Sequence, residues 1–518
     1  MVQKYPKLLL LILLIIGVFG LFIILYSTPY GMGLVNDSSA YINGARNLLA
    51  GDGYSRTAGN GAAVPLTHFP PFLSMVLASF GRFGIDALQA IRIVNSVLFG
   101  INIMLVGIVV YAMTKSTFFS ILGAALFLLS ETIISIHTFA LSEPLFIFLF
   151  FISILLIHSH LVFPKFVKII ILGIITGLIY LTRYIGVSVF GALFIIFLMQ
   201  DINAKGKIKN LLFYLLTSAI LPLIWSIRNA LLTGNFANRT IYYHPISEHK
   251  WFEGIANFWD WIFPGNFNLY GRSPKLFMWL LIIIIFSILY LGVIHVWQYI
   301  KMNKKNQDQL IFIGIIAELF IYLAVLIFSM TFVDPVTIFE NRMIAPLYLC
   351  LIIISMVILN KIWQKGNRCH KTLVTIIVVV FLLSFGRDSY ILVNNLHNDG
   401  QGFASSWWHN PEMINDIKSL EDKIIYSNRI TALYLITERP AFTLPSPEEI
   451  RDIDKSSNTD QQLNQIRSNV IDGDAVILMF GYGSYIKDPS YQDWVMQITD
   501  GLPVYSEYDN ITLFGQQE

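Results

Sequence analysis

The run KLLLLILLIIGVFGLFIILY at residues 7–26, followed at 36–54 by NDSSAYINGARNLLAGDGY, decides how the chain is read. The first run carries one charge, Lys7, and is long enough to cross about 30 Å of hydrocarbon as a helix. It follows Lys4 as a secretory leader would, but no small-residue cleavage site comes after it, so it reads as a retained anchor. Comparable runs recur near 91–113, 118–137, 143–160, 166–182, 185–200, 211–231, 276–298, 310–332, 343–360 and 371–387. The expected fold is an α-helical polytopic membrane protein of about eleven transmembrane helices. The composition agrees: of 518 residues, 55% are hydrophobic and 13% charged, against about 25% charged in soluble domains. The near-balance of 35 basic and 33 acidic residues argues against a nucleic-acid binder.

Orientation follows from the basic residues of the loops. With a cytoplasmic N-terminus, the inside segments hold Lys4, Lys7, Lys115, Lys165, Lys168, Lys205, Lys207, Lys209, Lys301, Lys304, Lys305, Lys361, Lys365, Arg368 and Lys371. Only Asp201 and Asp308 oppose them in charge, and the short outer links carry little beyond Arg183 and Arg342. This places three long segments outside: about 28–90, about 229–275, and everything from 388 onward. The expected division is a membrane module over 1–388, including the two long loops, and an extracytoplasmic α/β domain over 389–518. Within the latter, 422–428 and 474–480 read as buried strands, and 447–470 has helical spacing. Cys350 and Cys369 are the only cysteines, one in an apolar run and one in a basic loop, so the outer parts fold without disulfides.

The cytoplasmic loops are short and contain no phosphate-binding glycine motif. Asp452 and Asp454, like Asp472 and Asp474, have a spacing that is more often that of turn and cap residues than of metal ligands. Group transfer would therefore draw on a donor already outside, which means a lipid-linked one. The first outer loop is the informative stretch. Residues 38–50 read as an amphipathic helix lying on the interface through Tyr41, Ile42, Leu48 and Leu49, with Asp37 at its N-cap. A capped carboxylate at the boundary is also one held in place to accept a proton from a hydroxyl.

A first span, an acid opening a juxtamembrane helix, Ala45-x-Asn47-Leu48-x-x-Gly51-x-Gly53-Tyr54 and the pair Pro70-Pro71 together resemble the GT-C membrane glycosyltransferases. The likeness is to the prokaryotic branch related to protein O-mannosyltransferases and aminoarabinose transferases. Ser142-Glu143-Pro144, Thr182-Arg183-Tyr184, Trp225-x-x-Arg228-Asn229 with Gly234 and Asn238-Arg239, and Asn341-Arg342-x-x-x-Pro346 extend it along the chain. The resemblance implies that Asp37 is the catalytic base or a metal-site carboxylate. Where the mannosyltransferase branch has two adjacent acids, this chain has Asn36 before Asp37.

The chemistry also stands on its own terms. Transfer from a polyprenyl-phosphate sugar releases a phosphate monoester, and a guanidinium meets phosphate oxygens with two donors while staying charged. Arg183, Arg228, Arg239 and Arg342 all fall at the expected outer boundary, where snorkelling is the competing explanation. Glu143 is either a first-turn acid favoured by the helix dipole or a second acid of the site. His68 and His244 are further candidates for contacts to phosphate or sugar. The aromatics Tyr242, Tyr243, Trp251, Trp259 and Trp261 fit an interfacial belt, with some free to stack on sugar. A divalent metal on Asp37 and Glu143 is an open option.

The expected activity is a hexosyl or pentosyl transfer from a polyprenyl-phosphate donor to a glycan, lipid or protein acceptor at the outer face of a cell membrane. Two alternatives stay open. A transporter or flippase of a lipid-linked saccharide would rely on ionisable groups within the membrane, for which Glu131 and Glu318 are the candidates. A lipid-linked glycan polymerase or ligase would share the topology and the arginines.

Overall fold

The computed structural model describes residues 5–234, 241–262, 273–302, 306–408, 410–420, 422–447 and 457–516. In chain order the helices are α1 (Lys7–Ser27), α2 (Asn36–Ala50), α3 (Phe72–Gly81), α4 (Ala87–Thr114), α5 (Thr117–Leu128), α6 (Glu131–Thr138), α7 (Glu143–Val162), α8 (Phe166–Thr182), α9 (Val187–Met199) and α10 (Ala204–Thr233). They continue as α11 (Glu248–Ile262), α12 (Pro274–Lys301), α13 (Gln307–Phe332), α14 (Asn341–Lys365), α15 (Arg368–Asp399), α16 (Pro411–Ser419), α17 (Ile430–Thr437), α18 (Ser457–Ile471), α19 (Tyr482–Tyr485) and α20 (Pro489–Thr499). Among the described residues eight helices are long and apolar enough to span a membrane: α1, α4, α7, α10, α12, α13, α14 and α15. The pair α5 and α6, bent by 56°, makes a ninth if it counts as one span, and α8 and α9 are shorter apolar helices. Each of the eleven apolar runs is thus helical, and the protein is polytopic.

Two compact units emerge. The first comprises Met1–Pro29, Thr67–Leu73 and Gln89–His397, and the second Tyr30–Leu66, Ser74–Leu88 and Asn398–Glu518. In the first unit, α1 and α4 touch backbone to backbone. A Cβ on Gly17 would lie 2.7 Å from the Gly100 carbonyl oxygen, and one on Gly100 would lie 2.6 Å from that of Gly17. Lipid offers no hydrophobic drive for helix association, so glycine at a crossing lets dispersion and carbonyl contacts hold the pair. Arg92 on α4 then satisfies the end of α1, donating to the Leu25 carbonyl at 3.0 Å and to Thr28 Oγ1 at 3.2 Å.

In the second unit, α2 starts two residues earlier than the sequence reading has it. Its N-cap is Val35, not Asp37. The Ser38 N–H donates to the Val35 carbonyl at 3.0 Å and the Val35 N–H to Ser38 Oγ at 3.1 Å, closing the box with a backbone oxygen. Asp37 occupies the first turn instead, where the helix dipole still favours an anion. Of the four residues read as facing an interface, Tyr41 and Ile42 are buried in protein, whereas Leu48 is partly buried and Leu49 half-exposed. The strands β1 (Ser55–Thr57) and β2 (Ala63–Pro65) form a hairpin beside it. Asn47 on α2 donates to Ser55 Oγ at 3.0 Å, and Gly44 lies under the Tyr54 ring.

The same unit contains a five-stranded sheet of β3 (Ile424–Ser427), β4 (Phe442–Thr443), β5 (Ala475–Phe480), β6 (Val504–Tyr508) and β7 (Ile511–Phe514), in the order β4-β3-β5-β7-β6. The two strands read from sequence are β3 and β5, paired in parallel from Ile424 against Ala475 to Ser427 against Leu478. Alternation along β5 serves two cores. Ile477 and Met479 pack with Leu463, Ile466 and Val470 of α18, while Leu478 and Phe480 pack with Met413 of α16 and Leu433 of α17. Arg46 of α2 reaches across this unit. It donates to both oxygens of Asp86, at 2.9 and 3.1 Å, and meets Glu438 at the end of α17 at 2.8 Å.

Burial pushes the Asp86 carboxyl up, but hydrogen bonds from Arg46 and from the Leu88 N–H outweigh it and leave the group below the ordinary carboxylate value. The contribution of the pair is therefore fully present above the unfolded carboxylate value near 4 and fades as pH falls through the lower folded value. Because the Asp86 side chain is 39% exposed, solvent screens the pair and about 1 kcal/mol is the expected size. Asp86→Asn should lower the unfolding midpoint at neutral pH, and its difference from the native chain should disappear in acid. A Gly100→Val chain should lose far more, as a lower yield and midpoint in detergent, because α1 has no room to retreat.

Candidate functional site

The motif segments of the first unit come together at one end of its helices. Ser142, buried, is the N-cap of α7, and Glu143 and Pro144 form its first turn. A proline is tolerated there because its missing N–H has no intrahelical partner anyway. The Pro144 carbonyl accepts from Asn102 of α4 at 3.1 Å, which fixes where α7 begins. Glu143 is only 2% exposed. Its partner is Arg183, the C-cap of α8, whose guanidinium forms an ion pair with Glu143 Oε1. The same guanidinium donates to Met343 Sδ at 3.2 Å, and the Met343 carbonyl accepts from Tyr322 of α13 at 2.7 Å. Arg183 is thus gripped by α7 and α14 at once.

A second cluster forms around the carbonyl of Thr67. It accepts from Asn229 Nδ2 of α10 at 3.2 Å and from the Tyr184 hydroxyl at 3.4 Å. The Tyr184 oxygen in turn accepts from the Trp225 indole at 2.9 Å. Arg228, half-buried, lies with its guanidinium carbon 4.9 Å from the Trp225 ring centroid and donates to Asn229 Oδ1 at 3.1 Å. Cation–π contact and an amide together orient the guanidinium. Tyr184 follows Arg183 directly, so the two clusters share one turn of chain.

The remaining candidates fall in different places. Arg342 starts α14 and pairs at 2.7 Å with Glu340, the preceding N-cap. His68, next to Thr67, is exposed, with its ring 5.3 Å from that of Phe69. His244 is tied by Nδ1 to the Tyr242 carbonyl at 3.1 Å and by its N–H to the Thr331 carbonyl. Arg239 lies outside the described residues. Asp37 is half-buried in the first turn of α2 and belongs to the second unit. Trp259 and Trp261 are buried rather than belted at an interface: their indoles donate to the Phe277 carbonyl at 3.1 Å and to Asn341 Oδ1 at 3.2 Å. Met343, Tyr322 and the Thr67 carbonyl escape sequence reading because a thioether and a backbone oxygen carry no motif.

Of the two intramembrane acids, Glu131 sits in the first turn of α6 after its N-cap Ser130. Glu318 accepts from Ser188 at 2.7 Å beside a small, mainly apolar cleft between α7, α9 and α13. Among the described residues no three His, Cys, Asp or Glu side chains stand close enough to hold a metal ion, and Glu143 is committed to a guanidinium. Among the described residues these side chains do not form a metal cradle.

No family model matches the chain, and no curated protein matches it in sequence. Solved structures do match its fold. ArnT from Cupriavidus metallidurans bound to undecaprenyl phosphate aligns over 97% of this chain and 99% of its own, at 12% identity and a TM-score of 0.58. The Archaeoglobus fulgidus oligosaccharyltransferase in its apo form aligns over 97% of this chain and 73% of its own, at 11% identity and a TM-score of 0.54. Arabinofuranosyltransferase AftD from Mycobacteria aligns over 98% of this chain and 40% of its own, at 13% identity and a TM-score of 0.54. All three are GT-C membrane glycosyltransferases, and the fold of this chain is theirs.

The pair at the ends of α7 and α8 makes a testable claim on stability. Glu143→Gln and Arg183→Gln should each destabilise the detergent-solubilised protein, and the double variant should lose less than their sum. Coupling of about 1 kcal/mol or more is expected for groups in direct contact, read from a double-mutant cycle of unfolding midpoints. Additive losses would mean the pair holds nothing together.

Proposed function

We propose that this protein is an inverting membrane glycosyltransferase that moves a sugar from a polyprenyl-phosphate carrier to an acceptor hydroxyl at the outer face of the membrane. The observation that carries the reading is the gathering of Arg183, Arg228, Tyr184, Trp225 and Asn229 at one end of the spans, around Glu143 and the Thr67 carbonyl. The likeness in fold to ArnT bound to undecaprenyl phosphate supports it.

The acceptor hydroxyl loses its proton to Asp37 as its oxygen attacks the anomeric carbon. The bond from that carbon to the phosphate oxygen breaks on the opposite face, and polyprenyl phosphate leaves as the monoester. The leaving group gains negative charge rather than a proton, so it needs fixed cations. Arg183 and Arg228 are the described cluster arginines that would supply them. The Arg228 guanidinium is oriented by a ring and an amide, and that of Arg183 by a carboxylate and a thioether. Glu143 then acts as the counterion that keeps Arg183 in position, and Arg342 and Arg239 are further phosphate contacts. His68 and His244 would touch sugar or phosphate hydroxyls. The acceptor is a glycan, lipid or protein on the outer side, where the second unit with Asp37 would also lie.

Lipids extracted from the purified protein should include a polyprenyl-phosphate species by mass spectrometry, and Arg228→Ala should deplete it. Asp37→Asn should abolish transfer from that donor, by more than about a hundredfold if it is the general base, while leaving expression and unfolding midpoint unchanged. Full activity in Asp37→Asn would remove that carboxylate from the mechanism. A transported solute in place of the lipid would favour a carrier.

A further inference from the structure

The sheet of the second unit has a feature that the transfer reaction does not use. Its order begins β4-β3-β5, with all three strands parallel. From β3 the chain runs through α17 to β4 on one side, then through α18 to β5 on the other side of β3. The two helices accordingly cover opposite faces, α17 with Leu433 in one core and α18 with Leu463, Ile466 and Val470 in the other. Where successive connections leave in opposite directions, the loops at the carboxyl ends of the neighbouring strands part, and open α/β sheets bind ligands there. In this sheet that place lies between Ser427 and Phe480, the last residues of β3 and β5.

The residues at this edge are chemically consistent. Asn428 crosses the gap, donating to the Phe480 carbonyl at 2.8 Å and accepting from the Phe480 N–H at 3.0 Å, which locks the two strand ends. Arg429, exposed, donates to the Tyr485 hydroxyl at 3.2 Å. Trp408 leans on Phe480 with centroids 4.7 Å apart and ring planes 43° from parallel, and Trp407 meets Trp408 edge-on at 4.6 Å. Trp407 remains 42% exposed, a large indole with a rigid base. The exposed Trp407 indole, its centroid 6.5 Å from that of Phe480, and the guanidinium and phenol hydroxyl that follow the ends of β3 and β5 suit a ring with apolar C–H faces and a hydroxyl rim. One arginine is a thin complement for a nucleoside di- or triphosphate, and although Gly481 and Gly483 follow β5, the Gly481 and Ser484 N–H groups there donate to the Asn510 carbonyl and to Asn510 Oδ1.

We infer that this carboxyl edge is a saccharide-binding site, with Trp407 as the stacking platform and Arg429 and Tyr485 as hydrogen-bonding partners, and that it holds the glycan acceptor. The acceptor role rests on the transferase reading; the binding does not. The test is a printed array of neutral and acidic oligosaccharides probed with the full-length protein in nanodiscs, followed by titration of the best-bound glycan. The wild type should retain at least one saccharide. Trp407→Ala should weaken it by about three- to tenfold, the size of an aromatic contact, and Trp407→Phe should recover most of the loss. Arg429→Ala should weaken binding without changing the unfolding midpoint. Retention of no saccharide, or binding indifferent to both alanine substitutions, would overturn the site. Saccharide binding with these sensitivities in a protein that carries no polyprenyl-phosphate lipid would keep the site and remove the transferase reading.

Discussion

A guanidinium sequestered at the end of a membrane helix must have a counterion, and much of the first unit follows from how Arg183 obtains one. Glu143 begins α7 and Arg183 ends α8, so each charge sits at the helix terminus whose dipole favours it. Bringing the two together closes the α7–α8 hairpin with an ion pair. Uncompensated, either charge would be costly in so dry a place. The next residue, Tyr184, then falls where its hydroxyl links the Trp225 indole to the Thr67 carbonyl. A single pairing thus sets the position of α10 against the short segment containing His68.

Much of this arrangement is visible in the sequence because a bilayer leaves few choices. Backbone polar groups without water must bond within their own segment, so long apolar runs become helices, and every run read from the chain is helical. The interruption Thr182-Arg183-Tyr184 between α8 and α9 is legible for the same reason, since a charge and two hydroxyls do not extend an apolar span. What stays hidden depends on partners distant in sequence or on backbone atoms. Asn229 and Thr67 are 162 positions apart, and the second partner is a carbonyl. Val35 caps α2 through its backbone oxygen, which no side-chain preference announces, so Asp37 appears to be the cap from composition alone. Tyr41 and Ile42 look lipid-facing by spacing, yet protein covers them. The antiparallel strands β6 and β7 are short, and Ser506 and Glu507 blunt the alternation of the first.

The placement of acids bears on whether such a membrane module performs chemistry or moves a solute. A proton-coupled carrier needs groups that exchange protons along a path through the membrane. Glu131 occupies the first turn of a helix, where a carboxylate stabilises the exposed N–H groups. Glu318 is held by one serine beside a cleft whose walls are mainly aliphatic, including Ile154, Leu193 and Ile315. Its neighbour Ser153 is turned back onto the Phe150 carbonyl at 2.7 Å and offers no relay. The polar network instead gathers where α7 begins and α8 and α10 end, with a tyrosine, a tryptophan and two arginines ordered by named contacts. An asymmetric concentration of oriented cations suits a reaction whose leaving group acquires charge at one membrane surface, because fixed donors need no reorganisation when that charge develops.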